Sequence, residues 1–303
     1  MGKRGKVLIG LGCVVAVLAT TLLVAYRSEP HYQGHTLTYW LGECAKEPST
    51  GFYVFALGTG ARQAPLPDTE CVRAVRAIGT NAVPTLLAWL SYERSPAKRK
   101  LVTWLARRLG RSGRIPRWVV PEFGRNRLAA VGFAILGERS VSALPALANI
   151  ATRTNREAAL MAVFAMGKAG PAAVPFLETV LTNHAAMPRT TAAFMLGGLG
   201  TNAMPAVPTL LQCMSDPDEL VAAAALWAMG AAMQHQSVFA AVTGALNDPR
   251  PLIREAAVQA LRSGDKAAPF LQRALDDPDK GVRDQAKAIL QALASQNPAN
   301  ASR

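Results

Sequence analysis

The chain has 303 residues, a formal net charge of +13, and 50% hydrophobic but only 6% aromatic residues. That apolar content supports a large buried core and excludes a chain without folded structure. Plentiful alanine, with no sustained apolar/polar alternation, excludes a sheet-built fold and predicts an all-α one.

The chain opens with Lys3, Arg4 and Lys6, followed by twenty residues without charge, 7–26. Twenty helical residues rise about 30 Å, the thickness of a bilayer core. The run is longer than the apolar part of a cleaved leader, and no small-residue cleavage site ends it. Residues 1–27 are therefore read as a cytoplasmic basic end and an uncleaved transmembrane anchor. Leu11-Gly12-Cys13 comes too early in the apolar run to be a lipidation site. Positive charge ahead of the run puts the N-terminus inside. The remainder then lies outside the cytoplasmic membrane, in the periplasm or at the exterior of a bacterial cell.

Residues 28–67 form an irregular linker and cap. The segment 36–41 predicts a short amphipathic helix with Thr36 or Thr38 as its cap, and 51–67 is a Gly/Pro-rich loop. Tyr39 and Trp40 are read as covering the first helix pair, since end repeats need a capping surface. Cys44 and Cys71 flank the loop. They either pair as a disulfide, which an oxidising compartment permits, or stand as separate buried thiols. Cys13 and Cys213 are packing residues.

Residues 68–296 are a repeat array. In its clearest unit, Ala192, Met195, Leu196 and Leu199 mark one face of a helix over 189–199. Gly200 ends it in a left-handed conformation. A second helix follows, with Pro208 in its first turn and Leu210, Leu211 and Met214 on its apolar face. Asp216-Pro217-Asp218 closes it and prepares the next cap. Shifted by 33, Arg156, Ala159, Val163, Met166, Gly167, Pro175 and Leu177 fall on Arg189, Ala192, Leu196, Leu199, Gly200, Pro208 and Leu210. Second-helix prolines recur at Pro84, Pro145, Pro175, Pro208 and Pro269, one or two units apart, and such a fixed period means a stacked array.

In order, Asp68 caps a helix ending at Ile78, with a partner over 84–92. The second unit, 95–122, is irregular, with Leu101, Trp104, Leu105 and Leu109 on one face. The third has helices at 125–136 and 144–150; the fourth and fifth span 156–181 and 189–214. The sixth has 220–229 and 238–246, and the seventh 253–261 and 268–275. A polar last helix, 282–293, caps the array, and 297–303 is a disordered tail.

The pattern R-x-x-A-x-x-x-(L/V)-x-x-(M/L)-G, then A-V-P-x-L and D-P, resembles the HEAT repeat in its short, phycobilin-lyase-like bacterial form. It is carried by 156–177, 189–211 and 254–261, and the resemblance covers 68–295. It implies an α-solenoid, a superhelix of stacked HEAT-type helical hairpins, here preceded by one transmembrane helix. It further implies a binding scaffold, with the second helices lining the concave side.

The basic character is local. Arg94, Lys98, Arg99, Lys100, Arg107, Arg108, Arg111, Arg114, Arg117, Arg125 and Arg127 face one acid, Glu122, between 94 and 127. Apart from this block and the three N-terminal cations, acidic and basic residues balance. Such a patch either is a solvated face or attracts an acidic partner protein, envelope polymer or lipid headgroup. Trp104 and Trp118 among the arginines could stack on bases, but an anchored chain argues against nucleic acid.

No catalytic constellation stands out. The four histidines are His31, His35, His184 and His235, and none precedes Glu, so the His-Glu pairs of HEAT-type iron hydroxylases are missing. There is no C-x-x-C, nucleophile elbow or phosphate loop. The expectation is a non-enzymatic envelope scaffold for a protein or anionic ligand, with no cofactor and no metal. The alternatives are a lyase-like enzyme on a HEAT scaffold and a basic HEAT-like nucleic-acid-binding protein.

Overall fold

A computed structural model describes residues 29–46, 66–91, 125–152, 155–182, 186–262, 264 and 266–296. The proposed anchor, the loop 51–65, most of the basic block and the tail lie outside these residues.

The described chain begins with a minimal hairpin, β1 (His31–Tyr32) and β2 (His35–Thr36), antiparallel with Tyr32 opposite His35. This ladder departs from the strand-free expectation. Gln33 and Gly34 both take positive φ, 50° and 78°, which a two-residue turn between twisted strands requires. Helix α1 (Leu37–Lys46) follows directly. Thr36 is its cap, its Oγ1 accepting from the Tyr39 N–H at 3.2 Å. Thr38 instead donates its hydroxyl to Glu29 at 2.8 Å. Leu37, Trp40, Leu41 and Cys44 form the buried face, against α2 (Glu70–Ile78) and α4 (Arg125–Leu136).

The array then alternates two kinds of helix. The A helices are α2, α4, α6 (Arg156–Lys168), α8 (Ala186–Gly198), α10 (Glu219–Ala228), α12 (Pro251–Leu261) and α14 (Lys280–Gln296). The B helices are α3 (Val83–Ser91), α5 (Leu144–Ala151), α7 (Val174–Leu181), α9 (Val207–Cys213), α11 (Gln236–Ala245) and α13 (Ala268–Arg273). Consecutive A helices from α4 to α14 pack directly on one another, and each B helix packs on the A helix that follows. Each pair closes its core only against neighbours, as in a one-dimensional stack. Alanine makes the A row close: Ala158, Ala162, Ala165, Ala192, Ala193, Ala222 and Ala225 are buried. A Cβ on Gly197 would lie 2.8 Å from the Ala228 Cα and 2.5 Å from the Trp227 ring.

Arg125–Ala151 is long and apolar enough, by length and composition, to cross a membrane. It is instead two helices separated by a 3-10 segment, Gly137–Ala143, that starts at a left-handed glycine (φ 55°). Ala129, Ala130, Phe133, Leu144 and Leu147 are buried within the array.

Two sequence expectations are corrected. The cap of α2 is Thr69, not Asp68, and it makes no side-chain cap bond. The glycine equivalent to Gly200 is Gly170, not Gly167: both are left-handed, at φ 83° and 60°. Helix α8 thus repeats α6 at a shift of 30, while the B-helix prolines keep 33. The difference is a longer 3-10 linker, Gly200–Ala206 against Pro171–Ala173.

Candidate functional site

Of the predicted basic residues, the structure describes two. Arg125 is half-buried and Arg127 exposed, both in the first turn of α4 with no acidic residue beside them in that turn. Cations at the positive end of a helix dipole raise the local potential rather than cancel it. Arg94, Lys98, Arg99, Lys100, Arg107, Arg108, Arg111, Arg114 and Arg117 lie outside the described residues.

Cys44 and Cys71 are brought together as a disulfide, with Cα atoms 5.5 Å apart, joining the capping helix α1 to α2. Cys213 is a free, buried thiol, raised in pKa first by burial and then by the Asp216 carboxylate. Among the described residues, no three His, Cys, Asp or Glu side chains gather as a metal site. Lys168 lies 5.2 Å from the centre of the Phe164 ring, and burial lowers its pKa.

The charges that are described collect at the turns between repeats. Arg254 grips Asp277 with Nε at 2.8 Å and Nη2 at 2.9 Å. Its Nη1 donates to the carbonyls of Asp248 and Pro249. Arg283 donates in the same way to the carbonyls of Asp277 and Pro278. Arg189 reaches Asp216. Arg189, Arg254 and Arg283 are each the fourth residue of their A helix, so in α8, α12 and α14 this position ties helix to turn. These are structural pairs.

The B helices are different. Their exposed positions run along one row: Pro84 and Ala88 on α3, Pro145, Ala146 and Asn149 on α5, Pro175 and Thr179 on α7. The row continues with Pro208 and Gln212 on α9, Ser237 and Ala240 on α11, and Pro269 and Gln272 on α13. All six described B helices contain two charged residues, Glu178 and Arg273. The Thr209 hydroxyl donates to the Glu178 carboxylate at 2.9 Å, joining α7 to α9. Phe239 and Phe270 meet edge to face, 5.5 Å between centres, joining α11 to α13. The outcome is a long surface of methyl, hydroxyl, amide and ring groups. Such a surface suits contact with another chain, where strong charge would have to be desolvated. Sequence reasoning placed a surface here only by resemblance. The signal it missed was the near absence of charge in every B segment.

Residues 207–294 match the family model described as HEAT repeats. Among curated proteins, none matches the chain. Several solved structures are similar at low identity. One is a designed armadillo repeat protein in complex with the peptide (KR)4, 16% identical, covering 69% of this chain and 98% of its own, with a TM-score of 0.41. Another is the archaeal HEAT-like repeats protein from Thermococcus onnurineus NA1, 12% identical, covering 84% and 97%, TM-score 0.39. A third is the CpcE and CpcF complex of phycocyanin lyase from Nostoc sp. PCC7120, 17% identical, covering 82% and 95%, TM-score 0.37.

Proposed function

We propose that this chain is a non-enzymatic scaffold, anchored in the cytoplasmic membrane by residues 7–26, whose helical-repeat array binds a protein partner on the outer side. The observation that carries the binding role is the continuous, nearly uncharged row of exposed B-helix residues. A row of prolines, alanines, hydroxyls and amides, with the half-buried Phe239 and Phe270 beside it, offers apolar area and hydrogen bonds without the desolvation cost of charge. The Cys44–Cys71 pair supports the outer location, because disulfides persist in oxidising compartments. The basic stretch 94–127 serves as a second contact that steers an acidic partner towards the array.

The test is a cross-linked pull-down from native membranes with three chains. One is the wild type. The second carries Arg107→Gln, Arg108→Gln, Arg111→Gln and Arg114→Gln. The third carries Ala146→Glu, Thr179→Glu and Gln212→Glu, all at exposed B-row positions on α5, α7 and α9. A partner lost with the third chain supports the B row as the binding face. A partner lost only with the second moves binding to the basic stretch. The same partners with all three would overturn the reading.

A further inference from the structure

We infer that the hairpin and the first turn of α1 form a lipid-facing contact, with Tyr39 and His35 seated in the headgroup layer of the membrane. This rests on the reading of residues 7–26 as an anchor, and it concerns how the array is held, not what it binds.

The first observation is chain length. The uncharged run ends at Tyr26, and Glu29, whose carboxylate is bonded to α1, follows three residues later. Three residues span at most about 10 Å. If the run crosses the bilayer, Glu29 lies at the membrane surface.

The second observation fixes α1 to that point. The Glu29 carboxylate accepts from the Thr38 hydroxyl at 2.8 Å and from the Thr38 N–H at 3.3 Å. The Pro30 carbonyl accepts from the Leu37 N–H at 2.9 Å. The start of α1 is thus stitched to the residues where the chain would leave the membrane. Tyr39, next in sequence to Thr38, cannot move away from that exit without breaking these bonds.

The third observation is chemistry. Tyr39 is 44% exposed, while the opposite face of α1 is buried in the array. The exposed His35 ring stacks on Tyr39 at 4.1 Å and 18°, and Trp40 meets both edge-on, at 5.5 and 5.3 Å. Trp40 itself is buried, its Nε1 donating to the Tyr32 carbonyl at 3.1 Å, so it backs the stack instead of facing outward. No Asp, Glu, Lys or Arg occurs from 30 to 42. Aromatic rings with one polar end concentrate at the membrane–water interface, where the body is apolar and the tip is wet.

The consequence is orientation. The Cys44–Cys71 disulfide joins α1 to α2, so a hairpin seated on lipid holds the whole stack at a fixed attitude to the membrane. The B row then faces one constant direction.

The experiment uses the full chain reconstituted into vesicles of phosphatidylethanolamine and phosphatidylglycerol. A benzophenone amino acid replaces Tyr39 in one sample and Gln272, exposed on α13, in another. After irradiation, mass spectrometry reads the mass shift of a lipid adduct, and a carbonate wash reports whether the protein stays in the membrane. Adduct at 39 and not at 272, with protein retained after the wash, is the expected result. Retained protein with no adduct at 39 overturns this inference and leaves the anchor standing. Protein released by the wash overturns the anchor and this inference with it. A Tyr39→Trp variant gives an independent readout. Brominated lipid should quench its fluorescence beyond that of the wild type, and equal quenching would count against the contact.

Discussion

The guanidinium of Arg254 forms a two-bond fork on the carboxylate of Asp277, at 2.8 and 2.9 Å, and ties helix α12 to the turn that closes its own repeat. The same side chain also holds the carbonyls of Asp248 and Pro249, so it joins two successive turns. Arg189 holds Asp216 through one Nη, and its buried Nε has no partner. The two arginines are equivalent by position but not by bonding. Arg254→Met should cost about 2–3 kcal/mol, because charge-assisted hydrogen bonds are lost and a carboxylate is left unpaired. Arg189→Met should cost clearly less, and Arg254→Lys should fall between, since lysine keeps charge but not the fork. Urea unfolding of the three variants checks the order.

Acid should weaken this end of the array. The Arg254 hydrogen bond holds the Asp277 carboxyl below the usual carboxylate range, and the Arg250 hydrogen bond does the same for Asp248. A carboxyl whose folded pKa is depressed contributes stability that is present above its unfolded pKa, about 3.9. That contribution is lost as pH falls through the lower folded value. Wild type and Asp277→Asn should therefore differ most at neutral pH and converge below about pH 3.9. Denaturant melts across pH 2 to 7, followed by hydrogen exchange in α12 and α14, give the comparison.

Glycines of the array should split into two classes. A Cβ at Gly197 would meet the Ala228 backbone and the Trp227 ring, so Gly197→Ala should destabilise by about 1–3 kcal/mol through overpacking. Gly244, within α11, has open space around it. Gly244→Ala should be neutral or stabilise by roughly 0.5–1 kcal/mol, from the helix propensity of alanine. Thermal melts that showed equal effects would refute the close A-row packing.

The disulfide between α1 and α2 closes a loop with a sequence separation of 27. On the chain-entropy account, a loop of that length contributes about 3.5 kcal/mol. Cys71→Ser should loosen α1 and the hairpin before the rest of the array, because that bond crosses to one neighbour only. Limited proteolysis should then cut first near residues 29–46. In protein taken from native membranes, Cys44 and Cys71 should resist a thiol-reactive polymer until a reductant is added. Immediate reaction without reductant would count against the outer location.

Much of the array was legible because its signals are local. Pro84, Pro145, Pro175, Pro208 and Pro269 each stand second in a B helix, where a missing N–H costs nothing. Arg125–Leu136 begins and ends where periodicity put it, and Asp218 caps α10 by accepting from the Leu220 N–H at 2.9 Å. Most other boundaries moved by a residue or two, as fraying ends do, but α1 ends five residues beyond the expected 36–41, α8 starts three residues before the expected 189, and α14 ends three beyond 293. The candidate site was less legible. Charge drew attention to 94–127, whereas the surface described here is marked by the lack of it.

By itself, then, the sequence determined that the helices come in pairs, that a proline opens the second helix of most of them and where most of the described helices lie, since propensity, proline and glycine act within a few residues. Only the tertiary structure decided the register of α6, because a shift of three residues turns an alanine-rich helix by just 60° from a full turn and leaves its apolar face nearly in place. Which A helix meets which glycine, which arginine finds which aspartate, and that Cys44 finds Cys71 depend on atoms brought together from distant positions. No local rule carries that information, because these contacts exist only once the stack has closed.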